Sequence, residues 1–149
     1  MRFIIILSCL FFVTSAFAKN QVYSFGSTRV MFWNFESTKI AVSDHCISND
    51  QLNDCDALKN LKIISIKKLD RAKFGGLNPG AAVCHQQLKG IVMVGIDKIS
   101  QNENSFCRLT DGSIIDNGTL IFYGIQNDRL GLQKTKQTYR EKSDKRLKK

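Results

Sequence analysis

Beyond an apolar leader, the chain carries four cysteines, Cys46, Cys55, Cys84 and Cys107, and this even set restricts the possible folds more than anything else in its 149 residues. In an oxidising compartment such a set reads as two crosslinks. Four cysteines allow three connectivities. Cys46–Cys55 with Cys84–Cys107 is the expected one, because each pair then brackets one local unit. Each bridge is worth roughly 2–4 kcal/mol by chain-entropy reasoning, a large share of a total stability of about 5–15 kcal/mol. A metal reading fails on spacing. His45 and His85 each adjoin a cysteine, and neighbouring side chains diverge, to opposite faces of a strand or by about 100° on a helix. Zinc ligands are instead spaced two to four residues apart. No metal and no cofactor is expected.

The oxidising compartment is itself inferred from residues 1–18. Arg2 gives a positive start, Phe3 to Val13 is almost wholly apolar, and Ala16-Phe17-Ala18 offers small residues where a signal peptidase reads. This pattern predicts a secretory signal cleaved near Ala18, before Lys19, and a periplasmic or secreted mature chain. A rival reading lipidates Cys9, but it leaves only Phe3 to Leu7 as the apolar core, against the about 7–15 residues such a core needs. The apolar run is also shorter than the ~20 residues that cross a bilayer core, and no later segment comes closer, so no integral membrane span is expected.

Charge is unevenly placed. The chain carries +9, and losing Arg2 with the leader leaves +8. Residues 134–149 hold eight basic residues (Lys134, Lys136, Arg140, Lys142, Lys145, Arg146, Lys148 and Lys149) and two acids, Glu141 and Asp144. The high net charge therefore belongs to the tail and says little about the folded surface. Residues 125–149 read as a basic, disordered end. Its charge suits an anionic envelope polymer, lipid head groups or an acidic protein, with strong salt dependence. Nucleic acid is a poor partner for an exported chain.

Residues 19–74 read as a β-rich part. Strands are predicted over 21–43, with a turn at Gly26-Ser27. A polar loop surrounds Cys46 and Cys55, and a further strand runs from Leu61 to Leu69. Asn78-Pro79 predicts a helix start, since Asn caps and Pro suits the first position, and Gly90 ends that helix. Ile91 to Ile99 reads as a strand with a bulge at Gly95. Phe106 to Leu109 pairs back, Asp111-Gly112 turns, and Ser113 to Tyr123 forms the last strand region, interrupted near Asn117-Gly118. The fold class expected is α+β: a small antiparallel sheet or meander with one principal helix and two disulfides.

Asn78-Pro79-Gly80-Ala81-Ala82-Val83-Cys84, then Gly90, then Cys107-Arg108-Leu109-Thr110-Asp111-Gly112-Ser113, with Ile115-Asp116 and Leu120, resembles a bacterial exported domain of unknown function often given a haemolysin label. The resemblance covers about residues 75–124. This chain has Val83 where that family usually has Tyr, Lys89 for the first of its paired glycines, Thr110 for Pro, and Gly118 about where the Trp would stand. The family's helix and meander cysteines match Cys84 and Cys107, so the resemblance implies their pairing as well.

No catalytic residue is expected. No nucleophile-elbow, zinc-helix or phosphate-loop motif occurs, and a Cys–His nucleophile would need a reduced thiol. Asp54 and Asp56, which flank Cys55, read as a solvated loop. Phe74-Gly75-Gly76-Leu77, before a helix start, suggests anion binding but reads more simply as a linker. On a strand, Trp33 and Phe35 share one face and Phe32 takes the other. That makes Trp33 and Phe35 a candidate aromatic contact, with a buried strand as the simpler reading. Asn117-Gly118-Thr119 fits a glycosylation sequon. The expected role is a non-enzymatic exported binding or accessory protein of the bacterial envelope or secretome. The alternatives are an inhibitor of a secreted lysozyme or protease, and a membrane-active, haemolysin-like protein.

Overall fold

Gly26 and Ser27 alone separate two β-rich runs, and a two-residue connection of this kind favours a glycine at positive φ. Gly26 supplies it, at φ 60°. It joins β1 (Lys19–Phe25) to β2 (Thr28–Phe35), paired antiparallel from Lys19 opposite Asn34 to Phe25 opposite Thr28. The computed structural model describes residues 19–70, 72, 76 and 78–147, without the side chains of 132 and 134–147. The leader expected over 1–18, most of the Phe74–Leu77 segment, and Lys148 and Lys149 lie outside the described residues.

β3 (Ile40–Ser43) pairs with β2. Next come a short 3-10 turn over Asp44–Cys46, a small hairpin of β4 (Ile47–Ser48) and β5 (Gln51–Leu52), and α1 (Asp56–Asn60). Then follow α2 (Pro79–Gln86), β6 (Ile91–Asp97), β7 (Glu103–Arg108), β8 (Ile114–Asp116) and α3 (Asn117–Leu147). Six strands close into an antiparallel barrel in the order β1-β2-β3-β8-β7-β6, with β6 returning to β1. The α+β antiparallel architecture and both disulfides, Cys46–Cys55 and Cys84–Cys107, are present as expected. The barrel takes three strands from residues 19–74 and three from 75–124, so those two segments share one sheet.

Closure is weakest between β3 and β8, where Val42 and Ile115 make the one ladder pair. Side-chain hydroxyls complete this seam. Ser43 Oγ accepts from the Ile114 N–H at 3.0 Å, and Thr119 Oγ1 accepts from the Ala41 N–H at 3.1 Å while donating to the Lys39 carbonyl.

Strand alternation sorts side chains to two cores. Inside the barrel, Tyr23, Phe32, Phe106 and Ile114 are buried, with Phe25, Val30 and Met93 packed against them. The Tyr23 and Phe106 rings meet edge to face at 4.7 Å between centroids, and Phe32 and Phe106 lie 4.6 Å apart. Outside, Val42, Cys107 and Ile115 face the helices and form a second core with Ala57, Ile64, Val83, Cys84 and Leu120. Both disulfides lie in this second core. The α2 start follows the sequence: Asn78 Oδ1 accepts from the Gly80 N–H at 2.8 Å, with Pro79 in the first turn.

Four expectations are corrected. Leu61 to Leu69 is not a strand. Several of its backbone groups are met by side chains of α3 and of the α2 end instead of a ladder: Asn127 Nδ2 donates to the Leu61 and Ile64 carbonyls, Gln87, just past α2, holds both backbone groups of Ser65, and Asp128 accepts from the Lys67 N–H. Gly95 marks no bulge, since β6 and β7 pair without interruption from Ile91–Arg108 to Ile96–Glu103. A side chain there would strike the Phe25 and Phe106 rings. The helix ends before Gly90, with Lys89 taking the left-handed conformation at φ 56°. Gly90 is needed because a Cβ would stand 2.6 Å from Cys107 Sγ and 2.9 Å from Cys84 Sγ. Finally, Asn117 begins a helix, where a strand to Tyr123 was expected, and the backbone stays helical to Leu147. Asp116 causes the switch by capping: its Oδ2 accepts from the Thr119 N–H at 3.0 Å.

Candidate functional site

The barrel interior is layered, and its two ends differ. Tyr23, Phe32 and Phe106 plug the middle. At the end reached by the 36–39 and 98–102 turns, inward polar chains bond one another. Gln21 Nε2 donates to Asp97 Oδ2 at 3.0 Å, Asn34 Nδ2 to Gln21 Oε1 at 2.6 Å, and Asn104 Nδ2 to the Tyr23 hydroxyl at 2.9 Å. The other end, at the 26–27 and 109–113 turns, is apolar within. Here a cleft of about 480 Å³ opens beside Phe25, Val30, Met93 and Ile114, rimmed by Thr28, Ser43, Asp44, His45, Arg108 and Gly112.

This mouth follows from strand parity. Cys107 is fixed outward by its bridge to Cys84, so its neighbours Phe106 and Arg108 point inward. Phe106 joins the plug, and Arg108, last in β7, reaches the rim, exposed and without an ion pair among the described residues. The opposite lip is braced. Asp111 Oδ2 accepts from the Asp56 N–H at 2.8 Å, Asp111 Oδ1 from the Ser113 hydroxyl at 2.6 Å, and Ser113 Oγ accepts from the Ala57 N–H. These two side chains cap α1 from a distant turn. Burial pushes the Asp111 carboxyl up, but the Ser113 and Asp56 hydrogen bonds, with His45 at 3.9 Å, outweigh it and leave its pKa below the ordinary value.

At the polar end the carboxylates behave oppositely. N–H groups of Ser100 and Ile99 hold Asp97 below its usual range. Burial raises Asp116, against the opposing bonds from Thr119 and Gly118. Burial also raises Tyr23, despite the bond from Asn104. For Asp116, folding favours the protonated form, so the folded chain keeps this proton after the unfolded chain has lost it. Its contribution to stability therefore falls as pH rises from the unfolded value through the raised one, and the cost is constant above that. Asp116→Asn keeps the cap acceptor and removes the buried charge. The variant is expected to melt above the parent at pH 7, with the gap closing below about pH 3.9. Melting temperature against pH checks this, and a variant that melts lower at pH 7 would refute it.

The residues singled out in the sequence scatter. Phe32 is fully buried in the barrel. Trp33 is half-buried on the outer face beside Val42. Phe35 packs on the helix-side core and lines a second cleft of about 400 Å³ with Asn34, Asp116 and Phe122. Trp33 is not part of that lining, so the two do not form one aromatic contact there. Asp54 pairs with Lys59 at 3.2 Å. Asn117 is buried and donates to Ser105 Oγ, which shields the sequon in the folded chain. The side chains of Lys134, Lys136, Arg140, Lys142, Lys145 and Arg146 lie outside the described residues. Arg108, Met93 and Val30 were missed. Their signal was strand alternation carried to the strand ends, which has meaning only once the barrel closes.

No helix among the described residues is long and apolar enough to cross a membrane, and they contain no group of three or more metal-binding side chains. Comparison with protein-family models, curated proteins and solved structures gives no match for this chain.

Proposed function

We propose that this is an exported, non-enzymatic binding module of the bacterial envelope or secretome that takes a small ligand in the open mouth of its barrel. The observation that carries the reading is the asymmetry of the interior. Rings fill the middle and hydrogen-bonded polar chains occupy one end, where the second cleft lies beside Asn34 and Asp116, while the other end keeps a cleft with an apolar floor and a charged rim. Its volume of about 480 Å³ is ordinary for a small-ligand site, and such sites favour barrel mouths. Two core disulfides suit an oxidising location. The test is thermal shift with fractionated envelope extract. A fraction holding the ligand at a hundred times its Kd adds about 2.7 kcal/mol. The rim variant Thr28→Trp, which blocks the mouth, should not respond. Equal response by parent and variant would place binding elsewhere.

A second reading, inhibition of a secreted hydrolase, is favoured by the β4–β5 finger. Asn49 and Asp50 at its tip take φ 50° and 59°, as a tight two-residue turn requires. The finger is tied at its base by Cys46–Cys55 and by the Asn53 N–H bonded to the Cys46 carbonyl at 2.7 Å. A loop ordered in advance avoids the entropy cost of binding. Inhibition assays with lysozymes and proteases, parent against a finger with Gln51 and Leu52 changed to alanine, test it. The basic residues of 134–149 would hold either kind of module on anionic surfaces. Deleting them is expected to abolish salt-sensitive binding to anionic vesicles or wall polymer, and unchanged binding would refute that role.

A further inference from the structure

Resting on the mouth as a ligand site, we propose that it takes an amphipathic anion: one carboxylate or phosphate joined to a short apolar group. The floor is apolar. Phe25, Val30, Met93 and Ile114 turn inward from four strands and leave hydrocarbon surface facing the cleft, which an alkyl or aryl group would cover.

The rim selects the head group. Arg108 presents a planar fork of N–H donors, the geometry that grips a carboxylate or phosphate through two parallel bonds. Among the described residues it has no ion-pair partner, so no internal bond must be broken for it to bind. The other rim groups do not compete for an anion. His45 turns Nε2 toward Asp111. Asp44 follows Ser43, whose hydroxyl bonds Ile114, the residue across from Arg108. That sets Asp44 two strands from Arg108, roughly 10 Å at a spacing of about 4.8 Å per strand. Across an open, wet mouth, repulsion over that distance is small beside a direct charge-assisted hydrogen bond. A cationic head group would have to seat on Asp44, against the Arg108 charge on the same rim.

Four probes with one chain length separate the head group from the tail: octanoate, octyl phosphate, octanol and octylamine. Calorimetry on the full chain gives affinities, and amide shifts at Val30, Met93, Gly112 and Ile114 locate the site. Octanoate and octyl phosphate are expected to bind at least about tenfold tighter than octanol, and octylamine more weakly. Arg108→Gln should bring octanoate to the level of octanol and leave octanol itself unchanged. A head-group preference that survives Arg108→Gln overturns the assignment. If all four bind the mouth equally, or octylamine binds tightest, the anion class fails while the mouth stands as a site. If no probe moves the mouth resonances, the site itself fails. Anionic phospholipid vesicles that shift the same resonances in the parent, and not in Arg108→Gln, would identify the anion as a lipid head group. Octanoate binding with silent vesicles would identify a free one.

Discussion

Replacing Cys84 and Cys107 together by alanine is expected to lower the melting temperature by roughly 10–20 °C. The bridge spans 23 residues, for which the chain-entropy relation gives about 3.5 kcal/mol. Both cysteines are fully buried, so loss of the sulfur atoms also leaves a void against Gly90, Val83 and Ile115, which adds to the loss. Cys46–Cys55 spans 9 residues and by the same relation is worth about 2.7 kcal/mol. Cys46 and Cys55 are buried too, but the loop that they close is shorter and carries no barrel strand, so their removal should cost less and leave the barrel formed. A urea series on both double variants checks the order. The larger loss falling on Cys46 and Cys55 would mean that the helix-to-barrel bridge is not the principal staple.

Gly90 supplies an internal control on that interpretation. Its missing side chain makes room for both sulfur atoms. Gly90→Ala should therefore destabilise the bridged chain clearly and the Cys84→Ala/Cys107→Ala chain less, the rest of the cost coming from the Arg108 carbonyl oxygen 2.9 Å from the added Cβ, with a coupling of about 1 kcal/mol or more. The bridge also bears on the candidate site. It fixes Cys107 outward, and so aims Arg108 at the mouth. Ligand affinity should fall in the double variant by more than the unfolded fraction explains.

Features that are local along the chain were legible in the sequence. Gly26-Ser27, Asn78-Pro79 and Asp111-Gly112 each carry their own turn or cap chemistry, and each forms in the structure. The disulfide pairs follow from units that the chain itself brackets. What was not legible depends on partners far apart in sequence. The β3–β8 seam needs Ser43 to reach Ile114 and Thr119 to reach Ala41, and neither hydroxyl announces its distant partner. Residues 61–69 have strand composition, yet Gln87 just past α2, with Asn127 and Asp128 of α3, bonds much of their backbone. Their buried members, Leu61, Ile64, Ser65 and Leu69, lack the two-residue period of a strand. Asp116 was a readable signal that went unused: an acid three residues before Thr119 can cap a helix, but Asn117-Gly118 read more strongly as a turn. The mouth depended on all of this, because Phe25, Met93 and Arg108 converge only when the sheet has closed.

Gly80→Ala is expected to destabilise the chain by about 3 kcal/mol or more, although alanine is the better helix former by about 1 kcal/mol. A Cβ at Gly80 would lie 2.1 Å from the Asn117 carbonyl oxygen, 2.7 Å from its carbon and 2.8 Å from its Cβ. These are backbone atoms and the root of a side chain, so no rotamer change relieves the clash. Asn117 itself cannot retreat cheaply. It is buried, its amide donates to Ser105 Oγ, and Asp116 ahead of it caps α3. Relief would require α2 to lift from α3, opening the core around Val83 and Leu120. Gly131 in α3 is the matched contrast, exposed and with nothing within 4 Å of an added Cβ. Gly131→Ala should stabilise by about 0.5–1 kcal/mol. Opposite signs for one chemical change in two helices isolate close helix contact from helix propensity. Two gains of similar size would mean that α2 and α3 do not meet at Gly80.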